Sequence, residues 1–219
     1  MDETIINMTD QTPPDHLLTG FHSRNSLPHL KREGATYFVT FRQAGTLPKA
    51  VLIRFKKERE AILQRAVAEK RPLTWHEQKE LFQWYSSRVD QYLDCGYGTC
   101  HLRRPDVAAL VAKALCYFAG QRYQLQAWVI MPNHVHAVVR PMPGHTLSQI
   151  LHSWKSYSAH QINALLSLKA SPFWQKESYD HLIRDEDDLL HCYSYTVMNP
   201  VKAGLCSVPE AWPWSSAHA

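Results

Sequence analysis

The sequence predicts an α+β fold in which helices pack on an antiparallel sheet, and three observations predict it. Residues 35–41 (Ala-Thr-Tyr-Phe-Val-Thr-Phe) form an aromatic and β-branched run followed by Gly45 and Pro48, the pattern of a core strand and its exit loop. Residues 123–130 and 134–139 carry strand signals interrupted by Met131-Pro132-Asn133, which reads as a hairpin. Between and after these strands, apolar residues recur at helical spacing. A chain of 219 residues that is 45% hydrophobic fills one core, with little room for a second catalytic domain.

Taken in order, residues 1–30 mix acids, Pro13, Pro14 and small polar residues without either period, which predicts a flexible arm before a single domain at 31–219. Residues 54–67 place Phe55, Ile62, Ala66 and Val67 among charges, an amphipathic helix that ends before Arg71-Pro72. Thr74 followed by Glu77 is a capping-box signature for a helix reaching about Asp94, with Leu81, Trp84, Tyr85 and Val89 as its packing residues. Pro105 opens a helix through Val107, Leu110, Val111, Leu115 and Phe118, and Gly120 stops it. Beyond the hairpin, Thr146 starts a helix through Ile150, Trp154 and Ile162. Residues 179–183 are a short strand, and residues 185–198 are a helix ended by Asn199-Pro200 and Gly204. Trp128 and Trp174 are read as packing residues.

The net charge of +4 averages unlike regions. Residues 1–20 carry four acids and no base, residues 21–104 carry 16 bases against eight acids, and residues 141–219 hold five bases against seven acids. A polyanion surface therefore draws on the first half. Five cysteines without a CxxC pair read as reduced thiols of a cytoplasmic protein. No secretory signal and no 18-residue uncharged apolar run is present, so secretion and membrane spanning are not expected.

Two segments carry chemistry. In His134-Val135-His136 the strand period puts both imidazoles on one side, where they either share a metal ion or serve as polar packing. In the second segment His191, Tyr195 and Asn199 are four residues apart and share a helix face. Tyr195 offers a phenolic nucleophile. The Asn199 amide oxygen is either a third ligand to a hard cation or a helix terminator. A phosphodiester makes the set coherent, because a divalent ion polarises a phosphate oxygen while Tyr195 attacks phosphorus.

At these residues the sequence resembles the IS200-like, or Y1, tyrosine transposases, and most closely their REP-associated branch. The resemblance rests on Ala127-Trp128-Val129-Ile130-Met131-Pro132-Asn133-His134-Val135-His136, Lys155-Ser156-Tyr157, Trp174-Gln175, Tyr179-Asp180-His181, Ile183-Arg184, residues 195–204 and Trp212-Pro213-Trp214-Ser215-Ser216. It covers roughly residues 30–218. The resemblance implies a ferredoxin-like antiparallel sheet of the HUH single-strand endonuclease type. His134 and His136 would be metal ligands, Tyr195 the nucleophile and Asn199 a further ligand at a position where relatives often have Gln. It also implies cleavage and rejoining of single-stranded DNA beside hairpins through a 5′-phosphotyrosine, with Mg²⁺ or Mn²⁺ as cofactor.

Against smaller members of that family, residues 49–110 stand out as a helical insertion that adds basic residues. Lys56, Lys57, Arg59, Arg103, Arg104, Lys155, Arg184 and Lys202 are candidates for DNA contact, each with solvated surface charge or a structural role as the alternative. A hairpin-binding protein that has lost catalysis and a phosphodiesterase using water are the alternative functions. A monomer is favoured over a homodimer, and the expected place is the cytoplasm, associated with the nucleoid.

Overall fold

The computed structural model describes residues 19–24, 27–31, 34–71, 73–168 and 172–218. The first described elements are β1 (Thr19–Arg24) and β2 (Leu27–Lys31), an antiparallel hairpin whose second strand lies beside the edge of the main sheet. A hairpin thus occupies part of the segment expected as a flexible arm, and residues 1–18 of that arm lie outside the described residues.

The main sheet contains β3 (Thr36–Arg42), β4 (Tyr123–Ile130), β5 (His134–Pro141) and β6 (Tyr179–Ile183) in the order β4-β5-β3-β6, with every neighbouring pair antiparallel. The helices are α1 (Lys49–Ala68), α2 (Trp75–Trp84), α3 (Gln91–Asp94), α4 (Pro105–Cys116), α5 (Leu147–Leu166) and α6 (Glu186–Lys202). With α1 to α3 set aside, β3-α4-β4-β5-α5-β6 is the ferredoxin-like order that the resemblance implies.

Strand parity decides what each sheet face carries. Tyr37, Val39 and Phe41 of β3 and Val135, Ala137 and Val139 of β5 form one core with Val107, Val111 and Leu115 of α4 and Ile150, Trp154 and Ile162 of α5. The opposite parity places Phe38 and Val138 against Leu63 of α1, Leu81 and Phe82 of α2, and Cys192 and Val197 of α6. His134 and His136 share the parity of Val138, so they face α6, α1 and α2. Layers on both faces bury β5 from His134 through Val139.

Local chemistry sets the helix boundaries. Both capping boxes form: Thr74 accepts from the Glu77 amide, Thr146 accepts from the Gln149 amide, and the Glu and Gln side chains reach back to the cap amides. Helix α1 begins at Lys49, earlier than its charge pattern predicts, because Val51 and Leu52 pack with Leu47 and Phe55. The expected helix at 74–94 is α2 and α3 joined by a π-helical segment, Tyr85–Asp90.

The expected stop of the last helix at Asn199-Pro200 is corrected: α6 runs on to Lys202. Pro200 removes only its own N–H, while the Ala203 amide donates to Asn199 O at 2.9 Å and the Leu205 amide to Pro200 O at 2.8 Å. The chain then leaves through Gly204 at φ +69°, a left-handed position suited to glycine.

Near the C-terminus, the segment around Trp214 runs antiparallel along β4. The Ile130 amide donates to Trp214 O at 2.8 Å, the Ser216 amide to Trp128 O at 2.9 Å, and Trp212 Nε1 to Ile130 O at 3.0 Å. These bonds cover an edge that would otherwise present unpaired strand groups. Trp174 is buried, with Nε1 donating to Ser158 Oγ at 2.9 Å, and Trp128 packs partly buried against the first core. The five cysteines are unpaired, and among the described residues no helix is long and apolar enough to cross a membrane.

Candidate active site

β5 brings the two histidines together: both are fully buried, and their Nε2 atoms stand 3.1 Å apart. Their other nitrogens are engaged. His134 Nδ1 lies 2.7 Å from Asn133 Oδ1, and His136 Nδ1 lies 2.8 Å from Thr40 Oγ1. Asn133 is itself oriented, because its Nδ2 donates to Leu93 O at 2.9 Å and to Tyr97 O at 3.2 Å. Only its oxygen is left to face His134, so His134 carries its proton on Nδ1 and turns the Nε2 lone pair toward His136. Burial drives the His134 pKa down to about 3 and that of His136 well below its usual value, so both rings are neutral, the form that ligates metals.

Two carboxylates absent from the sequence expectation face this pair. Asp90 Oδ2 lies 3.8 Å from His136 Nε2, and Asp94 Oδ1 lies 3.9 Å from His134 Nε2. Asp90, His134 and His136 form a buried cluster consistent with divalent metal coordination. Burial raises Asp90 to about 8 and Asp94 to about 6. The Tyr195 hydrogen bond and the Lys202 charge pull Asp90 back, and Lys202 does the same for Asp94. The signal that marks them is their spacing of four on one helical stretch.

The donor set fits a cation on structural grounds. Asp90 Oδ1, Asp94 Oδ1 and the Asn199 amide oxygen are buried without a hydrogen-bond partner among the described residues. Such orphaned groups are costly unless a further ligand satisfies them. Asn199 is fully buried one turn beyond Tyr195 on α6.

Tyr195 packs edge-on against Phe38, Phe82 and His136, and its hydroxyl donates a very short hydrogen bond to Asp90 Oδ2. Burial first, and then the Asp90 charge, push the phenol well above its ordinary pKa, so it is held protonated. Lys202 Nζ sits 5.0 Å from the centre of the Tyr195 ring. A second cluster ties the helix down: His181 Nε2 on β6 lies 3.0 and 2.9 Å from the Asp188 oxygens, and Cys192 Sγ lies 3.9 Å from Asp188 Oδ1. It joins the first turns of α6 to the sheet and so orients the face that bears Tyr195.

The eight candidate cations are dispersed, and Lys202 is the one that meets the tyrosine. Lys56 and Lys57 are exposed on α1, where Lys56 faces Glu60 at 3.8 Å. Arg59 is half-buried in the field of Glu177 and Glu60. Arg103 and Arg104 are exposed before α4, and Arg104 holds Asp106 with two bonds of 3.1 and 2.6 Å. Lys155 Nζ donates to Gln175 O, Lys176 O and Ser178 Oγ at 2.7, 2.9 and 3.2 Å, a structural duty. Arg184 is half-buried in the field of Asp188 and Asp185. His191 meets Phe82 at 5.6 Å between ring centres.

Residues 107–187, which include α4, the histidine strand, α5 and β6, match the family described as "Transposase IS200 like". This segment is similar to that family over 81 of the chain's 219 residues. It is 44% identical over 50 residues to a Haemophilus influenzae protein named as a REP-associated tyrosine transposase, a match spanning 23% of this chain and 28% of that relative. A REP-associated tyrosine transposase solved with a REP hairpin is 20% identical with a TM-score of 0.46, covering 88% of this chain and 84% of the other. A Deinococcus radiodurans protein of transposase type is 15% identical with a TM-score of 0.36, covering 73% and 86%. Tyr195, Asn199, Asp90 and Asp94 all lie outside the matched segment.

Proposed function

We propose that the chain is a metal-dependent single-stranded DNA endonuclease and transposase that cuts and rejoins DNA beside hairpins, with Tyr195 as nucleophile. The observation that carries this reading is the meeting of two neutral, buried imidazoles, their Nε2 atoms 3.1 Å apart, with a tyrosine on α6 that packs against one of them. His134, His136 and Asn199 are the assigned ligands. Mg²⁺ or Mn²⁺ is the expected cation, since oxygen donors beside imidazole suit hard ions. When bound, the cation withdraws charge from a non-bridging phosphate oxygen.

The protein's own residues supply the rest. The Tyr195 oxygen attacks phosphorus, a bond from phosphorus to Tyr195 forms, and the bond to the departing sugar oxygen breaks, leaving a 5′-phosphotyrosine and a free 3′-hydroxyl. The reverse attack by a 3′-hydroxyl rejoins the strand without ATP. The proton that Tyr195 loses is balanced by the one the departing 3′ oxygen takes up, and Asp90 holds the phenol in place before metal binds. Lys202, beside the ring, favours phenolate as it forms. The hairpin preference follows from the resemblance to the REP-associated branch, with which the REP-associated name of the Haemophilus relative agrees, and a monomer working at the nucleoid is the simplest assembly.

Incubating the protein with hairpin-bearing single strands labelled at either end, with Mg²⁺, Mn²⁺ or chelator, tests this reading. A metal-dependent covalent adduct on the 5′ phosphate, absent from Tyr195→Phe, is expected across a panel of stems. Product release without adduct, retained by Tyr195→Phe, would instead mean a water nucleophile.

A further inference from the structure

We propose that Asp90 is an exchangeable ligand: it holds the Tyr195 hydroxyl while the site is empty of metal and joins His134 and His136 on the cation when metal binds, freeing the nucleophile. This rests on the metal reading of His134 and His136 above. Asp90 touches both partners. Its Oδ2 accepts the Tyr195 hydroxyl and lies 3.8 Å from His136 Nε2, while its Oδ1 is buried without a partner among the described residues.

A carboxylate shared in this way links two events. A phenol donating to Asp90 draws on the lone pairs that a cation needs, so the hydrogen bond and the metal bond compete for one group. Leaving the phenol for the cation exchanges a hydrogen bond for a metal contact, and Tyr195 keeps its own proton. Competition is reciprocal: whatever metal does to the Tyr195 contact, the contact does to metal affinity by the same factor. The device belongs to the insertion, because Asp90 ends the π-helical segment between α2 and α3. Asp94, one turn on and 3.9 Å from His134 Nε2, supplies negative charge to the same space.

The test measures Mg²⁺ affinity by titration calorimetry and the state of Tyr195 by ¹⁹F NMR of protein labelled with 3-fluorotyrosine, the Tyr195 signal being the one missing from Tyr195→Phe. Asp90→Asn, nearly the same shape, should weaken Mg²⁺ by about tenfold or more, and Tyr195→Phe should strengthen it by about tenfold, the size of one charge-assisted hydrogen bond. The Tyr195 signal should move on adding Mg²⁺, and in metal-free Asp90→Asn it should already be displaced from its wild-type position.

Unchanged Mg²⁺ affinity in either variant overturns the proposal, as does a Tyr195 signal indifferent to Mg²⁺. If Asp90→Asn does not fold, as judged by circular dichroism, Tyr195→Phe and the wild-type signal still decide it. His136→Ala separates the two readings. If it abolishes Mg²⁺ binding while Asp90→Asn does not weaken it, the exchange alone fails; if it binds Mg²⁺ as tightly as wild type, the metal reading of the histidine pair fails with it.

Discussion

Asn133 is the hinge between the inserted helices and the histidine pair, and removing its side chain tests the tautomer argument. Asn133→Ala strips His134 Nδ1 of an acceptor at 2.7 Å and Leu93 O of a donor at 2.9 Å, both in the interior, whereas Tyr97 O belongs to an exposed residue. At about 1–3 kcal/mol for each of the two buried groups left unpaired, the variant should lose about 2–6 kcal/mol of stability. With its tautomer released, the His134 ring should also lose about 10–100-fold in metal affinity, the usual effect of deleting a partner that orients a ligand. Urea unfolding in chelator measures the first quantity, and titration with Mn²⁺ measures the second. Asn133→Asp is the companion: it keeps an acceptor for His134 but sets carboxylate oxygen against Leu93 O. It should lose as much stability as the alanine variant while binding Mn²⁺ more tightly than that variant. An Asn133→Ala protein that is destabilised yet binds Mn²⁺ within about twofold of wild type would refute the reasoning, because the asparagine would then support the fold and not the ligand.

Other outcomes follow from the same geometry. In metal-free protein, the lowered pKa values of His134 and His136 make stability rise with pH up to their unfolded range near 6.5, whereas Asp90, raised to about 8, makes it fall from its unfolded value of 3.8 up to about 8. Asp94, raised to about 6, adds to the fall only below that pH, so between about pH 6.5 and 8 Asp90 is the group of the four still acting. Melting temperature in chelator should therefore drop across that window, and Asp90→Asn should flatten the drop. Thr146→Ala should cost about 1 kcal/mol by urea titration, the ordinary worth of an N-cap, without altering metal affinity. Arg103→Ala should reduce both hairpin affinity and its salt dependence more than Arg104→Ala does, since Arg104 already spends its charge on Asp106.

Much of this site was legible in the sequence because its signals are local. Alternation in His134-Val135-His136 placed both rings on one face, and a spacing of four placed Asn199 one turn from Tyr195. The capping box at Thr74 was equally readable, being a contact three residues apart, and Thr146 was readable as a helix start. What escaped was whatever depends on distant pairing. Asp90 and Tyr195 are 105 residues apart, Thr40 and His136 are 96, and nothing local marks either pair. Asn133 was taken only as a breaker between strands, since its second role needs Leu93 and Tyr97 beside it. Pro200 misled for a related reason: a local rule says that a helix should stop, while the packing around buried Val197, Asn199 and Pro200 carries it on.

The π-helical segment Tyr85–Asp90 has an implication for how such an insertion is tuned. A π turn is an α-helix carrying one residue too many. Each residue added to or removed from a helix rotates everything after it by about 100° relative to everything before. Deleting one residue within the segment would restore an ordinary helix and still bury the packing residues of α2, but it would swing Asp90 and Asp94 away from the histidines together. The insertion therefore holds a one-residue phase setting. Single-codon deletions and insertions there should switch both carboxylates in or out of register as a unit, which point substitutions cannot do.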